Sequence, residues 1–548
     1  MPSRKSRAFT CAAPPSPSAP LDALIQGSRR VELTPLTWLL ALLPVLVLLL
    51  LMVGMGWGGS RAGLAGFFTA LLLALTVFGG DALLAAVAIG KSVFLAADVL
   101  YIVWMALFFY NVTNEAGTVA MLGHSLPRLT PDRAAQSLLI SWVFVSLLQG
   151  VGGFGVPVAV VAPLLVGLGY SATQAVIMAS LGHGWAVTFG SLGTSFVALT
   201  AVTGLPGEAL AHDSALVLGL ACLISGALVA YVSAGWAGLL RSLPMLLLVG
   251  AGMGLTQWFV ATRGLWTLGS TSGALAGAVV GVAYVLSPLG RAKAKAAPAE
   301  HAPSRSLVLA LAAYIILLAL AFSVNLIAPL GDLLDTVMLQ LHFPAVATTH
   351  GWEVPAESGR GISLFGHAGA ILFYAGLVAF LLYKRANYFE RDDAWQVIWR
   401  KVSKSALKST VSILALVAMA ALMTHTGMTQ IIARGISETV SAQVYPLFAP
   451  FIGALGAFMT GSNTNSNVVF GALQQETALL LGLTVPIVLA GQTAGASLGS
   501  VLAPAKIIVG CSTVGLGGEE GPVIRRMLLL GLIPVVFVAL ITLLRANG

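Results

Sequence analysis

The sequence predicts an all-α polytopic membrane protein with about 12–14 transmembrane segments. Of its 548 residues, 58% are apolar and only 9% are charged, whereas a soluble domain usually carries about 25% charged residues. The mean hydropathy is +0.94, and apolar stretches of about 20 residues, long enough to cross a bilayer, recur from Leu36 to Leu544. These observations exclude a water-soluble enzyme and indicate a chain embedded in a lipid bilayer.

The chain divides in order into a tail, two membrane halves and the loops between them. Residues 1–35 combine five basic residues with a proline-rich run at 12–20, which favours a disordered cytoplasmic tail. The first membrane half is expected at 36–288, with spans at 36–56, 61–79, 82–112, 134–169, 172–203, 214–238, 241–262 and 268–288. The second half is expected at 306–545, with spans at 306–330, 362–383, 405–426, 444–475, 479–503 and 526–545.

Two basic loops orient the chain. Residues 289–305 and 384–404 are rich in lysine and arginine, and such loops face the cytoplasm in membrane proteins. Two predicted spans separate these loops, so the acidic segment 331–361 between the spans is expected on the outside. Because the net charge of +8 lies in short segments between spans, it sets the orientation and does not indicate nucleic-acid binding.

The sequence lacks the patterns of a metal site or an enzyme. Its three cysteines, Cys11, Cys222 and Cys511, are far apart and show neither disulfide nor zinc spacing. The histidines show no metal-ligand spacing either, so no metal and no cofactor are expected. The predicted spans contain no HExxH motif and no paired aspartates, which argues against a membrane-embedded enzyme with catalytic residues.

Two stretches interrupt the smooth apolar pattern. The first comprises residues 149–157 and 182–195, and the second comprises residues 460–467 and 491–506. Both are rich in glycine, serine, threonine and asparagine. Irregular backbone at membrane depth is tolerated only where it is buried in protein or lines a cavity, so we expect both stretches in the interior.

The two stretches also resemble copies of each other. Gly150 and Gly461 are 311 residues apart, while Gly169 and Gly482, and likewise Gly182 and Gly495, are 313 residues apart. Interrupted apolar segments at corresponding positions of two halves point to the binding site of a transporter. The fold is therefore expected to contain two inverted repeats with broken helices or re-entrant hairpins.

The second stretch has the chemistry of a binding site. Six consecutive polar residues at 462–467 offer hydroxyls and amides, and each would need a partner inside a membrane. Broken helices also expose amide groups at a positive helix end, which can hold a carboxylate. A small polar anion is the expected substrate. For the glycines alone, the alternative is close helix packing through small residues.

Three segments of the chain are specific enough to compare with known families: Gln149-Gly-Val-Gly-Gly-Phe-Gly-Val-Pro-Val-Ala159, Phe458-Met-Thr-Gly-Ser-Asn-Thr-Asn-Ser-Asn467 and Gly510-Cys-Ser-Thr-Val-Gly-Leu-Gly-Gly-Glu-Glu-Gly521. They resemble the lactate permease family of bacterial 2-hydroxymonocarboxylate carriers, in the larger ion-transporter superfamily. The resemblance extends over about residues 36–545. It implies uptake of lactate or glycolate with a proton across the bacterial inner membrane, substrate binding between two hairpin tips, and a homodimer.

Thirteen residues of the two stretches are candidates for substrate binding. They are Gln149, Gly150, Gly153, Phe154, Gly155, His183, Ser462, Asn463, Thr464, Asn465, Asn467, Gln492 and Lys506. The best-known lactate carriers have a glutamate at position 149 and an aspartate at position 463, where this chain carries amides. The site is therefore expected to be less acidic than the family pattern.

Three titratable residues are candidates for the coupled proton. Glu115 is retained from a family segment, and its alternative role is an interfacial helix end. Asp98 lies deeper, where an unpaired carboxylate costs about 2.5 kcal/mol or more, unless it pairs with Lys91 two helical turns away. His183 lies among the glycines of the first stretch, and its alternative is a purely structural histidine.

These observations favour a secondary active transporter for a small 2-hydroxymonocarboxylate. Proton symport is the leading mechanism, because one proton cancels the charge of the anion that must enter a negative interior. A sodium-coupled carrier, an exchanger and an exporter of another organic anion are the alternatives. A channel would share the broken helices, and the sequence does not separate it from a carrier.

Overall fold

The computed structural model confirms the helical membrane class. It describes residues 32–53, 55, 57, 59–118, 121, 130, 132–151, 156–291, 307–359, 361–516 and 520–548. The predicted tail, most of the basic loop 289–305 and residues 152–155 lie outside this described part. Most of the described residues are helical, and one β-hairpin lies within the second half.

The first half consists of helices that are interrupted at the positions of the first polar stretch. Its helices are α1 (Pro35–Val53), α2 (Gly59–Thr76), α3 (Ala82–Glu115), α4 (Arg133–Leu138), α5 (Val145–Val151), α6 (Val156–Gly167), α7 (Ala172–His183), α8 (Thr194–Thr203), α9 (Gly207–Ala261), α10 (Gly269–Leu286) and α11 (Pro288–Arg291). A π-helical turn, Leu139–Phe144, joins α4 to α5, and 3-10 turns occur at Gly184–Ala186 and Trp266–Leu268.

The second half also consists of interrupted helices, and a β-hairpin lies between its second and third helices. Its helices are α12 (Leu307–Leu326), α13 (Ala328–Leu334), α14 (Ala368–Arg385), α15 (Ala394–His425), α16 (Met428–Thr439), α17 (Tyr445–Thr460), α18 (Asn463–Leu480), α19 (Val485–Ser500), α20 (Pro504–Thr513) and α21 (Glu520–Asn547). Because α15 begins at Ala394, the non-helical part of the basic segment 384–404 is limited to 386–393.

Several predicted spans are divided differently in the structure. Five helices of the described part are long and apolar enough to cross a membrane: Gly59–Thr76, Ala82–Glu115, Gly207–Ala261, Trp266–Leu286 and Glu520–Asn547. The pair Thr410–His425 and Met428–Thr439, bent by 72°, gives a sixth candidate. The spans predicted at 134–169, 172–203, 444–475 and 479–503 are each made of shorter helices. The total of 12–14 crossings stays a prediction.

One pair of predicted spans lies on the two sides of a break in α9. The sequence suggests separate spans at 214–238 and 241–262, and α9 consists of two helices that meet at a kink in this stretch. At Ala234 and Gly235 the backbone leaves the helical conformation, and Gly235 has a φ of +64°. Glycine adopts this φ at low cost, so the chain bends there without a loop.

The segment 331–361 is a hairpin where the sequence suggests a loop. Strands β1 (Met338–Leu339), β2 (His342–Phe343) and β3 (Val346–Ala347) pair antiparallel with β6 (Ile362–Ser363), β5 (Glu357–Ser358) and β4 (Glu353–Val354), respectively. Its tip contacts both halves, because the Thr349 amide donates to the Gly79 carbonyl at 2.7 Å and the Trp352 indole donates to the Thr424 carbonyl at 3.2 Å.

The same order of elements occurs twice. In the first half a helical hairpin, α4–α6, precedes the broken pair α7/α8 and the long helix α9. In the second half the hairpin α17/α18 precedes the broken pair α19/α20 and the long helix α21. Of the two glycines that the sequence matched, Gly461 lies between α17 and α18, and Gly150 lies in the last turn of α5. This order supports the predicted duplication, while the inverted orientation of the copies stays a prediction.

Candidate binding site

The two polar stretches meet in the interior. At the start of α18, the Asn463 amide donates to the Thr188 hydroxyl at 2.9 Å. The hydroxyls of Thr464 and Ser195 lie 3.0 Å apart, and the Asn467 amide donates to the Ser195 carbonyl at 2.9 Å. Each half therefore supplies one wall of a shared polar site, and all five of these side chains are buried.

The start of α18 is fixed by a glycine turn and a serine cap. Gly461 ends α17 with a φ of +68°, a left-handed conformation that suits glycine. The Ser462 hydroxyl then accepts a hydrogen bond from the backbone N–H of Asn465 at 3.3 Å, as the N-cap residue of a helix does. The polar run 463–467 is therefore helical from its first residue and presents its amides to the first half.

The facing turn of the first half is strained. Ser191 and Leu192 have φ values of +46° and +55°, which non-glycine residues adopt at a cost of about 1–3 kcal/mol. Two backbone bonds hold this turn against α5: Ser191 N–H donates to the Gln149 carbonyl at 2.7 Å, and Leu192 N–H donates to the Gly150 carbonyl at 3.0 Å. A side chain at Gly150 would lie 2.6 Å from the Thr271 hydroxyl.

Thr188 determines how the Asn463 amide is oriented. The Thr188 hydroxyl donates to the Thr493 carbonyl at 3.1 Å, so it accepts the hydrogen bond from the Asn463 nitrogen. Asn467 is oriented in the same way, because its nitrogen donates to a backbone carbonyl. Consequently Asn463 Oδ1 and Asn467 Oδ1 lie four residues apart on one face of α18.

Four buried polar atoms of the predicted site have no hydrogen-bond partner among the described residues. They are Gln149 Oε1, His183 Nε2, Asn463 Oδ1 and Asn467 Oδ1. His183 Nδ1 lies 2.7 Å from the Ala179 carbonyl, so the neutral ring carries its hydrogen on Nδ1 and leaves Nε2 as an acceptor. Buried polar atoms are nearly always paired, and four unpaired acceptors therefore indicate a site for a ligand with hydrogen-bond donors.

Lys506, in contrast to the four acceptors, is a buried donor with a positive charge. Its side chain is only 7% exposed, and its ammonium donates to the Ser500 hydroxyl at 3.3 Å. None of the ion pairs found in the described part of the chain includes Lys506, and His183 is within electrostatic range of it. A buried cation without a counterion is costly, so this position favours binding of an anion.

The remaining predicted residues divide into three groups. Gly153, Phe154 and Gly155 lie outside the described residues. The side-chain amide of Asn465 donates to the Ser412 hydroxyl of α15 at 3.3 Å. Gln492 cross-links helices of the second half, because its amide donates to the Ser466 hydroxyl at 3.2 Å and its oxygen accepts from Gln474 at 3.1 Å.

Two of the candidate proton carriers lie away from this site. Glu115 ends α3 and forms an ion pair with Lys401, which matches the alternative of an interfacial helix end. Asp98 does not pair with Lys91, since Lys91 pairs with Glu357. Its carboxylate is instead 2.8 Å from the imidazole of His367, a residue that sequence reasoning missed.

Several hydroxyl residues of the site were also not predicted from the sequence. Thr188, Ser195, Thr493 and Ser497 form buried hydrogen bonds between the two halves. Ser497, for example, accepts from the Thr188 amide at 3.1 Å and donates to the Gly184 carbonyl at 2.7 Å. All four lie inside the two polar stretches, which was the available signal, but isolated hydroxyls are equally common at helix-packing positions.

Two cavities are lined in part by residues of α8, which also contributes Ser195 to the site. One of about 700 Å³ lies between α8, α3, α15, α18 and the β-hairpin. The other, of about 650 Å³, is lined by Leu192 and Val197 on one side and by Asp98 and His367 on the other. Within the described residues, no group of three or more His, Cys, Asp or Glu side chains is arranged to hold a metal ion.

Known proteins resemble the chain over most of its length. The glycolate permease of Escherichia coli K12 and the L-lactate permease of Bacillus subtilis 168 are each 26% identical to it, over 93% of this chain and 96% of their own. Among solved structures, the YdaH transporter of Alcanivorax borkumensis is 14% identical with a TM-score of 0.47, and the match covers 83% of this chain and 86% of that one.

A sequence model described as L-lactate permease matches residues 37–547, which is nearly the whole chain. The relatives are permeases rather than enzymes, and the apolar helices of the structure agree with a multi-pass protein of the bacterial cell membrane. The chain therefore belongs to the L-lactate permease family.

Proposed function

We propose that the chain imports a small 2-hydroxymonocarboxylate, lactate or glycolate, by proton symport. The substrate binds where the two polar stretches meet. Two relatives are named for these acids. The observation that carries the proposal is that a buried cation, Lys506, which forms no ion pair with a described residue, occurs together with buried acceptors that have no partner among the described residues.

The carboxylate of a 2-hydroxy acid matches the buried cation, and its hydroxyl matches the buried acceptors. Its carboxylate needs donors, which the Lys506 ammonium supplies together with the amide ends of α8 and α20, neither of which has a side-chain cap. The start of α20 is adjacent to the second hairpin turn, because a side chain at Gly461 would lie 3.8 Å from Ala503. The substrate hydroxyl then donates to an amide oxygen such as Asn463 Oδ1.

We predict that the transporter discriminates against acids that lack the 2-hydroxyl. Propionate has the size and charge of lactate but leaves the acceptor unpaired, which costs about 1–3 kcal/mol. Propionate should therefore compete about 5- to 150-fold more weakly than L-lactate for uptake. Competition assays against labelled L-lactate measure this ratio, and equal potency of the two acids would contradict the hydroxyl contact.

Proton coupling follows from the charge of the substrate. Moving a lone anion into a negative interior costs about 2.3 kcal/mol per 100 mV, and one accompanying proton removes that cost. The three candidates from the sequence, Glu115, Asp98 and His183, differ in their surroundings, as described above. A homodimer remains part of the proposal.

Uptake into proteoliposomes tests this function. We expect saturable uptake of labelled L-lactate or glycolate, stimulated by an inward proton gradient, and at least about tenfold weaker uptake by the Asn463→Ala variant. The variant loses both the link to Thr188 and an acceptor for the substrate. Asn111→Ala is the matched control, because Asn111 is a buried asparagine that donates to the Leu107 carbonyl of its own helix.

Other outcomes separate the alternatives. No uptake of either acid under any gradient would contradict the substrate assignment. Uptake driven by sodium instead of protons would indicate a sodium-coupled carrier, and transport that requires an acid on both sides would indicate an exchanger. Unsaturable flux would indicate a channel.

A further inference from the structure

We propose that the pair formed by His367 and Asp98 is the binding site of the coupled proton. This inference rests on the proposed proton symport and assigns its proton to a place outside the substrate site. His367 Nε2 lies 2.8 Å from Asp98 Oδ1. The two side chains are 13% and 5% exposed, so both are largely buried.

Three contacts hold the imidazole in place. His367 caps the start of α14, where its Nδ1 accepts a hydrogen bond from the Gly369 amide at 3.2 Å. The ring is stacked on Tyr101 with a centroid distance of 4.9 Å and an interplanar angle of 4°. Asp98 and Tyr101, three residues apart on α3, therefore fix the ring together.

These contacts determine which ring nitrogen of His367 carries the hydrogen and which one accepts an added proton. Because Nδ1 accepts from a backbone amide, the hydrogen of the neutral ring is on Nε2 and is donated to Asp98. A second proton binds at Nδ1 and ends the cap of α14, while the ring becomes a cation beside a carboxylate. Proton uptake thus exchanges a helix cap for a full ion pair, and histidine is the side chain best suited to change charge near neutral pH.

The described residues that line the cavity beside the pair are acidic or neutral, apart from His367 itself. Asp335 is a second carboxylate in the cavity and lies beside Gly366, the residue before His367. Two tyrosines are nearby: the Tyr101 hydroxyl donates to the Leu364 carbonyl, and the Tyr374 hydroxyl donates to the Phe365 carbonyl. Among the described residues that line this cavity, those on α8, on α12 and in the segment 264–268 carry no charged side chain.

Among the described residues, Lys91 of α3 and Glu357 of the β-hairpin pair with each other, so together they add no net charge.

The cavity beside this pair is also lined by residues that neighbour the proposed substrate site. The same cavity of about 650 Å³ is lined by Leu192, whose amide donates to the Gly150 carbonyl at the other side of the strained turn. Val197 of α8 also lines it, two residues after Ser195, which bonds to α18. The proton and the substrate would thus bind on opposite sides of one turn and one short helix.

Two transport modes distinguish a proton site from a substrate site. Net uptake driven by a proton gradient requires the proton to bind and to be released, whereas exchange of labelled for unlabelled L-lactate at equal pH requires no net proton movement. With the membrane potential clamped at zero, an inward gradient of one pH unit supports about tenfold accumulation in a one-to-one symport. We expect wild-type protein to approach this value.

The His367→Gln variant should accumulate no substrate, with an inside-to-outside ratio of about 1, while its exchange rate stays within about threefold of wild type. His212→Gln is the matched control, because His212 is an exposed histidine of α9 that contacts Trp258, and it should accumulate like wild type. Asp98→Asn, which keeps the shape of the acid, should behave like His367→Gln and serves if the histidine variant does not fold.

Four outcomes would overturn this inference or its basis. Wild-type accumulation by both variants would exclude the pair, as would loss of exchange in variants that fold normally. Loss of accumulation in Glu115→Gln alone would assign the proton to the end of α3 instead. If wild-type protein neither accumulates nor exchanges L-lactate or glycolate, the proposed function itself fails.

Discussion

Replacing Lys506 by methionine should abolish transport and leave the protein at least as stable as wild type. Methionine has nearly the length of lysine and fills the same buried space without a charge. Removing one charged partner of a buried ionic contact costs about 2–5 kcal/mol in binding, which is about 30- to 4,000-fold in affinity. Uptake of labelled L-lactate at several concentrations measures the loss.

Melting temperatures make this prediction specific to the charge of Lys506. In the structure the ammonium bonds only to the Ser500 hydroxyl among the described residues, so its removal in the absence of substrate deletes an uncompensated charge. The melting temperature of Lys506→Met without substrate should therefore equal or exceed that of wild type. L-Lactate should raise the melting temperature of wild-type protein but not that of the variant.

Lys384→Met is the control for removing a lysine. Lys384 is an exposed residue at the end of α14, and its replacement should leave uptake and substrate affinity within about twofold. Unchanged affinity in Lys506→Met would show that the carboxylate binds elsewhere. A large fall in its melting temperature would show that Lys506 already has an anionic partner in the protein.

The sequence predicted the burial of the two polar stretches better than it predicted the bounds of the helices. Glycine, serine, threonine and asparagine in the middle of apolar segments have no other stable place than the interior, so the stretches around Gln149 and Asn463 were recognisable. Their contact partners were not, because Thr188 and Ser195 are about 270 residues from α18 in the chain. Nothing local distinguishes them from hydroxyls that bond to their own helix.

The pair formed by Asp98 and His367 shows the same limit. Sequence spacing offered Lys91 as the partner of Asp98 because both lie on one face of α3, but the β-hairpin brings Glu357 to Lys91 and leaves Asp98 for His367. That hairpin is itself hard to predict. Its strands are two residues long, too short to show the alternation of apolar and polar residues that marks a strand.

The glycines raised two expectations, a binding site and close helix packing, and the structure supplies a strong case for packing at Gly182. A methyl group at Gly182 would lie 1.5 Å from the backbone carbonyl oxygen of Ser141, in the π-helical turn Leu139–Phe144. No side-chain rotation relieves a clash with backbone, so α7 must move away from that turn. We expect Gly182→Ala to destabilise the protein by at least about 3 kcal/mol and to lose transport.

Thermal unfolding and the amount of folded protein in detergent measure this effect, with Gly167→Ala as the control. Gly167 ends α6, and a methyl group there meets nothing within 4 Å, so that variant should match wild type. The corresponding glycine of the second half gives a stricter test. At Gly495 the added methyl would lie 2.0 Å from the Pro450 carbonyl, so Gly495→Ala should be damaged to a similar degree. If either variant unfolds like wild type, the close helix contact at that glycine is not required, and the equivalence of the two halves at this position fails with it.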